Sequence, residues 1–206
     1  MIQWVTENIA VNGRFIFIVN EEEYQKYNLQ YLLNLLESDC EIVRLNKSTN
    51  GAAETVLAAK DLIGDEPIAI INSDQYMNWN SNEFFYAMAA DECDGGIVTF
   101  ESTHPKWSFV KTGKDGFIVE TAEKKPISNM ATAGVYYFRK GSDYVKYANR
   151  MIKKKLSVNG VYFVCPVYNE LIADKGKVRA FPIDGMWSFS TPEDVELFIN
   201  QFREDD

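Results

Sequence analysis

The chain has 206 residues, 46% of them hydrophobic and 25% charged, with 21 basic against 30 acidic side chains and a net charge of −9. That length suits a single folded domain spanning 1–206, able to bury roughly 70% of its unfolded surface without staples. The acidic balance excludes a nucleic-acid partner, which calls for a basic face, but is compatible with a small anionic substrate held by a few local lysines.

Phe15-Ile16-Phe17-Ile18-Val19 is a continuous apolar run of β-formers, the pattern of a strand buried on both faces. Asn20 is placed to cap the next helix, with Glu23 three positions on completing a capping box. Tyr24, Tyr27, Tyr31, Leu32, Leu35 and Leu36 then recur at helical spacing, predicting a helix to about Ser38. Ile42-Val43-Arg44-Leu45 reads as a second strand, residues 51–60 as a helix opening on Gly51, and Ile68-Ala69-Ile70-Ile71 as a third strand ending in Asn72-Ser73-Asp74. A helix over 84–90 and a strand over 96–100 follow. Strands separated by single helices predict βαβ units and a mostly parallel sheet.

The second half changes character. Segments 108–111 and 117–120 flank Lys114-Asp115-Gly116, a hairpin-turn signal. A strand over 133–138, amphipathic helices over 144–154 and 167–173, and a strand over 178–183 come next. A helix over 192–202 closes the chain, with Pro192 in its first turn behind a Thr191 cap. The pattern is one α/β domain with a small antiparallel insertion.

Three cysteines, Cys40, Cys93 and Cys165, lie far apart without CxxC spacing, which argues against a disulfide framework and for a reducing, cytoplasmic setting. The single histidine, His104, precedes a proline in a polar stretch and reads as an exposed loop residue. No apolar run approaches the ~20 residues that span a bilayer, so no membrane role is expected.

Chemistry is expected where strands end. Asp74 follows an apolar strand at the point where open α/β sheets bind ligands, and a carboxylate there suits magnesium held jointly with substrate phosphates. It reads equally as a turn residue, because Asn72-Ser73-Asp74 is good turn chemistry. The glycine-led helix start at Gly51, with Glu54 in its first turn, is a second candidate, a place where a ligand reaches backbone N–H groups. Glu123-Lys124-Lys125-Pro126 is a third; lysine is a usual point-charge partner of phosphate, although a solvated loop explains the pair as well.

Several of these segments, in this order, resemble the sugar-phosphate nucleotidyltransferases, the enzymes that make NDP-sugars. The resemblance runs through Gly51-Ala52-Ala53-Glu54-Thr55-Val56-Leu57, Asn72-Ser73-Asp74 and Glu123-Lys124-Lys125-Pro126-Ile127-Ser128. It continues in Ala131-Thr132-Ala133-Gly134-Val135-Tyr136-Tyr137-Phe138, Asn159-Gly160-Val161-Tyr162-Phe163-Val164 and Trp187-Ser188-Phe189-Ser190-Thr191-Pro192-Glu193-Asp194. It is closer to capsule and surface-polysaccharide members than to the thymidylyltransferases of deoxysugar pathways. The resemblance implies a Rossmann-like, mostly parallel sheet flanked by helices. It also implies transfer of a nucleotidyl group from an NTP to a sugar 1-phosphate, with release of pyrophosphate. By the same resemblance Asp74 holds Mg2+ and nucleotide phosphates, Lys124 meets the sugar phosphate, Glu123 and Gly134 shape the sugar pocket, and Gly51 and Glu54 line the nucleobase pocket.

Two departures accompany it. The family opens with a strand and a G-x-G-x-R loop followed by Pro-Lys-Pro, whereas Met1-Ile2-Gln3-Trp4-Val5 matches the family just after them. The first strand is thus expected to be missing, leaving the strand at 15–19 with an open edge for a second copy or a partner subunit. The family's late metal-binding Asp falls on Ser188, with Asp184 as a possible substitute. The alternative functions are a truncated or degenerate member that binds nucleotide or NDP-sugar without catalysis, a subunit of a split enzyme, or a metal-dependent glycosyltransferase. The last normally uses a D-x-D pair, and Asn72-Ser73-Asp74 supplies one carboxylate.

Overall fold

The computed structural model describes residues 1–204. In chain order the elements are α1 (Ile2–Ile9), β1 (Ile16–Asn20), α2 (Glu21–Lys26), α3 (Leu29–Leu36), β2 (Glu41–Leu45), α4 (Ala52–Leu57), a 3-10 turn (Lys60–Leu62), β3 (Ile68–Ile71) and β4 (Gln75–Asn78). Then come α5 (Ser81–Ala90), β5 (Gly95–Glu101), β6 (Ser108–Thr112), β7 (Ile118–Glu123), β8 (Met130–Phe138), α6 (Gly141–Lys153), α7 (Val167–Ala173), β9 (Val178–Pro182), β10 (Gly185–Ser188) and α8 (Pro192–Glu204).

The architecture is the expected sheet flanked by helices, with a more mixed strand pairing than the alternating sequence pattern predicts. β5 and β9 are parallel within the main six-stranded sheet, and β1 and β2 form a separate parallel pair. The centre of the sheet, however, is β8, which runs antiparallel to β3 on one edge and to β5 on the other. β6 joins the β3-side edge of β8 through Phe109 opposite Ala131, and β7 pairs β6 beyond it. The hairpin is therefore built into the main sheet. Its turn is as the sequence indicates: Gly116 has φ +80° and the Asp115 carboxylate accepts from the Phe117 N–H at 3.2 Å.

Alternation along β8 sorts the core into two layers. Tyr136 and Phe138 face a cluster completed by Tyr144, Ala148 and Met151 of α6 and by Val167, Tyr168 and Leu171 of α7. Ala133, Val135 and Tyr137 face the other side, against Met77, Phe84 and Met88. The α6 residues recur at helical spacing, so one apolar stripe buries against the sheet while its basic residues lie outward. Arg150 and Lys154 reach the carboxylate of Glu170, which is only 4% exposed. Pairing a buried carboxylate in this way offsets the cost of desolvating it. A third cluster joins α1 to β10 and α8 through Val5, Ile9, Phe189 and Phe198.

Some expectations change. The single helix predicted over 24–38 is two, because Asn28 adopts the left-handed conformation (φ +49°) and restarts the helix. Of its predicted stripe, Tyr27, Tyr31, Leu32 and Leu35 are exposed, and the buried residue of α3 is Leu33. Asn20 does cap α2, accepting from the Glu22 N–H at 2.8 Å. Thr191 and Asp194 cap α8 reciprocally, each side chain accepting from the other's N–H at 3.2 Å. The helix α1 and the antiparallel pair β4–β10 lie outside the sequence-predicted elements. Among the described residues β1 pairs with β2 alone, and β3 pairs with β8 alone. No described helix is long and apolar enough to cross a membrane. All three cysteines are free, and burial pushes the Cys93 and Cys165 thiols up, which suppresses thiolate reactivity.

Candidate active site

One edge of β8 carries two strands in succession. β3 runs along it to Ile71 opposite Val135, and the Asn72 N–H donates to the Gly134 carbonyl at 2.9 Å. β6 starts on the same edge, its register putting Ser108 level with Thr132. The end of β3 and the start of β6 therefore meet at residues 132–134, where both chains must turn away from the sheet. Asp74 sits at the departing end of β3, while Glu123 lies opposite Ser108 with Lys124 next to it. Topology thus brings the end of β3, which leads to Asp74, and the start of β6, which is paired to the strand carrying Glu123 and Lys124, to the stretch of β8 that holds Gly134; strand ends of this kind are where α/β sheets bind ligands.

Each candidate has a definite environment. Glu123 is half-buried and accepts the Ser108 hydroxyl; burial raises its carboxyl above the ordinary range, against the smaller lowering effects of Ser108 and Lys124. Lys124 is exposed, with φ +54°, its N–H donating to the Trp107 carbonyl at 3.0 Å and its ammonium 5.1 Å from the Phe163 ring centroid. That cation–π contact aims the side chain along the 161–163 segment. The same segment carries α4: the Tyr162 N–H donates to the Asn50 carbonyl at 2.7 Å, and the Ala53 N–H to the Tyr162 carbonyl at 3.0 Å. Gly51 and Glu54 are thereby joined through Tyr162 and Phe163 to Lys124.

The two motif glycines have packing reasons of their own. A Cβ on Gly51 would lie 2.5 Å from the Tyr162 carbonyl oxygen, and the φ of +121° is itself restrictive. At Gly134, with φ +77°, a Cβ would lie 1.6 Å from Gln75 Oε1. Gln75 is 6% exposed and its Oε1 has no hydrogen-bond partner among the described residues. The Glu54 carboxylate is also engaged locally, accepting from the Asn50 N–H at 2.6 Å and from its side-chain amide at 3.0 Å.

The Asp74 side chain is half-buried and sits beside a pair of serines. Its Oδ2 accepts the Ser190 hydroxyl at 2.9 Å, Ser190 meets Ser188 Oγ at 2.7 Å, and the Phe189 N–H donates to the Asp74 carbonyl at 2.7 Å. Asp184 does not substitute for a second carboxylate. The β4–β10 register pairs Gly185 with Asn78 and Ser188 with Gln75, so Asp184 lies at the far end, about 17 Å away along the strand. Among the described residues there is no group of three or more His, Cys, Asp or Glu placed to hold a metal. The donors present fit a magnesium ion that brings phosphate oxygens with it, since magnesium is commonly held by one or two carboxylates plus substrate phosphates. Sequence reasoning reached Ser188 through the family resemblance and gave no role to Ser190, Ser108, Gln75 or Phe163. His104 is exposed, as expected, its Nδ1 accepting from the Lys106 N–H at 3.2 Å.

Residues 1–188 match the family described as nucleotidyl transferase. The chain belongs to the nucleotidyl transferase family. Solved structures of similar fold include a nucleoside-diphosphate-sugar pyrophosphorylase from Vibrio cholerae RC9, at TM-score 0.82 and 23% identity over 97% of this chain and 85% of that one. A UDP-glucose pyrophosphorylase complexed with UDP-glucose superposes at TM-score 0.76 and 17% identity over 100% and 87% of the two chains. A glucose-1-phosphate thymidylyltransferase described as putative, from Bacillus anthracis, gives TM-score 0.71 at 13% identity over 95% and 78%. A comparison with curated proteins finds no match. At these identities the structures show that this nucleotidyl transferase shares their fold.

Two outcomes follow from the geometry. Gly134→Ala is expected to cost about 2–4 kcal/mol in urea unfolding, by forced left-handed backbone and collision with Gln75, and Gln75→Ala in the same chain should recover part of it. Glu123, with its folded pKa above the ordinary 4.5, keeps a proton in the native state that the unfolded chain has lost within that window. Its contribution to stability therefore declines as pH rises from 4.5 through the folded pKa. Relative to wild type, Glu123→Gln should gain stability across that rise, read from urea midpoints between about pH 4 and about pH 8.

Proposed function

We propose that this chain transfers a nucleotidyl group from a nucleoside triphosphate to a sugar 1-phosphate, giving an NDP-sugar and pyrophosphate. The observation that supports the reading is the meeting of β3 and β6 on one edge of β8 beside Gly134, with Asp74 after the first strand and Glu123 and Lys124 at the end of the strand paired to the second, in a chain of this family. The fold shared with a pyrophosphorylase bound to UDP-glucose supports the substrate class.

In this reaction a sugar-phosphate oxygen attacks the α-phosphorus and pyrophosphate leaves. Such transfers depend on positioning and charge neutralisation more than on acid–base groups. Lys124 supplies a positive charge on a left-handed, ring-braced residue at the crevice, suited to the sugar phosphate. Glu123, shielded and fixed by Ser108, accepts from sugar hydroxyls, and the Gly134 backbone closes the pocket floor without a side chain. The nucleobase lies against the Gly51 helix start and the Tyr162–Phe163 segment, with Glu54 bracing the loop from behind. Magnesium would supply charge neutralisation at the phosphates, and Asp74 Oδ1 would hold it. The resemblance of the motifs to capsule-type members supports a product destined for surface-polysaccharide assembly, and the free thiols suit a cytoplasmic setting.

A second reading, a nucleotide-binding member without turnover, is favoured by the lone carboxylate at Asp74. The open edges of β1 and β3 further support a partner strand supplied by a second copy.

Incubated with magnesium, the four common NTPs and a panel of sugar 1-phosphates, the folded chain is expected to release pyrophosphate with at least one pair. Asp74→Ala should reduce that release about 100-fold or more. Nucleotide binding with no release across the panel would favour the second reading. Sedimentation velocity at tens of micromolar should show a dimer or larger species; a strictly monomeric chain would count against the strand-edge assembly.

A further inference from the structure

We propose that the outer face of α3 is an interface between two copies of this chain, packed antiparallel about a two-fold axis. This contact stands apart from the catalytic site and from the open edges of β1 and β3.

α3 carries more apolar surface than the fold covers. Six of its eight positions are Leu or Tyr. At about 100° per residue, Leu29, Leu33 and Leu36 fall on one side, and Tyr31, Leu32 and Leu35 on the adjoining side. The first group is turned inward, with Leu33 3% exposed and the other two half-buried. The second is not: among the described residues nothing covers it, and Tyr31 is 74% exposed, Leu35 84% and Leu32 42%. Tyr27, just before the helix, adds a ring that is 59% exposed. Together these four leave roughly 500 Å2 open per copy, or about 1,000 Å2 across a symmetric pair, the area at which a specific interface is sustained. A helix that is apolar over so wide an arc is ordinarily a covered one.

Charge selects the occupant. The chain has 30 acidic residues, yet none lies within residues 24–36, while Glu21, Glu22 and Glu23 precede that window and Glu37 and Asp39 follow it. The two polar positions of α3 are Gln30 and Asn34, both uncharged. A second copy of this acidic chain therefore meets no like charge here, and a tyrosine-bearing, charge-poor centre with a charged rim is the usual make-up of an interface. An anionic membrane is disfavoured. Helices that lie on one carry lysine and arginine on the polar face, whereas this window has Lys26 alone and acidic flanks.

The two ends of the helix also complement each other. Lys26 precedes α3, its ammonium 4.9 Å from the Tyr27 ring centroid and so held at the edge of the patch, and Glu37 is the C-cap. Helices crossed antiparallel near Tyr31 and Leu32 set Lys26 beside the partner's Glu37 at both ends of the contact, as two-fold symmetry requires. Leu35 then falls against the partner's Tyr27. A parallel arrangement would put lysine beside lysine and glutamate beside glutamate.

Sedimentation velocity across a concentration series tests the contact. Wild type should dimerise, and Leu35→Glu should weaken the dimer at least about 100-fold. Tyr31→Ser should weaken it in the same sense, and serves if Leu35→Glu does not fold by circular dichroism. Lys26→Glu should weaken it about tenfold, and Glu37→Lys added in the same chain should restore it. In a Cys40→Ser background with dissolved oxygen as the oxidant, Tyr31→Cys should give a disulfide-linked dimer, its sulfurs meeting near the axis. Tyr86→Cys, at a residue of α5 that is 77% exposed, should stay unlinked. A wild-type chain that is monomeric at every concentration overturns the proposal. A dimer untouched by both Leu35→Glu and Tyr31→Ser also overturns it, and assigns assembly to the strand edges instead.

Discussion

The constraint on which the site depends is that β8 has two edges and three strand neighbours. β5 takes one edge along most of its length, and β3 and β6 divide the other. Two strands running in the same direction on one edge cannot both continue past their meeting point. The backbone at residues 132–134 is therefore where β3 must release its chain and β6 must begin. This division of hydrogen-bonding edge is what sets the turn leading to Asp74 and the strand pair carrying Glu123 against the same stretch of β8, although the two acids are 49 residues apart in the chain. A sheet in which β3 and β6 occupied separate edges would carry the same motifs without a crevice between them.

The same place concentrates conformational cost. Gly134 and Lys124 both have positive φ, and Gln75 is packed against the glycine with an unsatisfied carbonyl oxygen. Glycine takes its positive φ without penalty, whereas the left-handed Lys124 and the unsatisfied Gln75 oxygen are each unfavourable by about 1–3 kcal/mol, and such features persist where surrounding structure over-determines them. Here the surroundings are the interior of β8, whose residues 131–138 are all buried, and the paired strands β4 and β10 beneath Gln75. The two packed layers on either side of β8 supply the stability against which a strained crevice is maintained.

Much of the sheet was legible because its strands are continuous apolar runs. β5 is buried on both faces over Gly95–Thr99, whereas β1 and β3 are half-buried along their lengths and β2 and β9 carry exposed residues, so composition announced the strands but overstated the burial of β1. β4 and β10 are not announced in this way: Gln75-Tyr76-Met77-Asn78 is short and half polar, and its pairing with residues 185–188 is a contact between distant segments that periodicity does not register. The break between α2 and α3 escaped for a local reason, since the tyrosine and leucine spacing continues through it while Asn28 turns left-handed. Asp74 and the Glu123-Lys124 pair were legible from residue type at predicted strand ends. Ser190, 116 residues from Asp74, was not, because only the β4–β10 pairing brings it there. The placement of β8 between β3 and β5 was likewise beyond reach, as strand order is set by packing across the whole chain.

A glycine in a ligand-binding motif is commonly read as room for the ligand, and the two here show a different use of that room. Gly51 admits the Tyr162 backbone, which fixes the start of α4 against the segment that carries Phe163. Gly134 admits the Gln75 amide, which fixes β4 under β8 and with it the turn that presents Asp74. In both cases the missing Cβ is filled by protein, so the glycines act on the crevice by positioning its walls. This also reconciles an acidic chain with an anionic substrate. With a net charge of −9 the molecule's overall field repels phosphates at long range, but that repulsion is screened beyond about 8–10 Å in physiological salt. What a phosphate meets inside the crevice is set by which charges the rigid walls bring within that distance: Lys124 on its ring, and Asp74 with its serines, which turns repulsive or attractive according to whether a cation accompanies the phosphate.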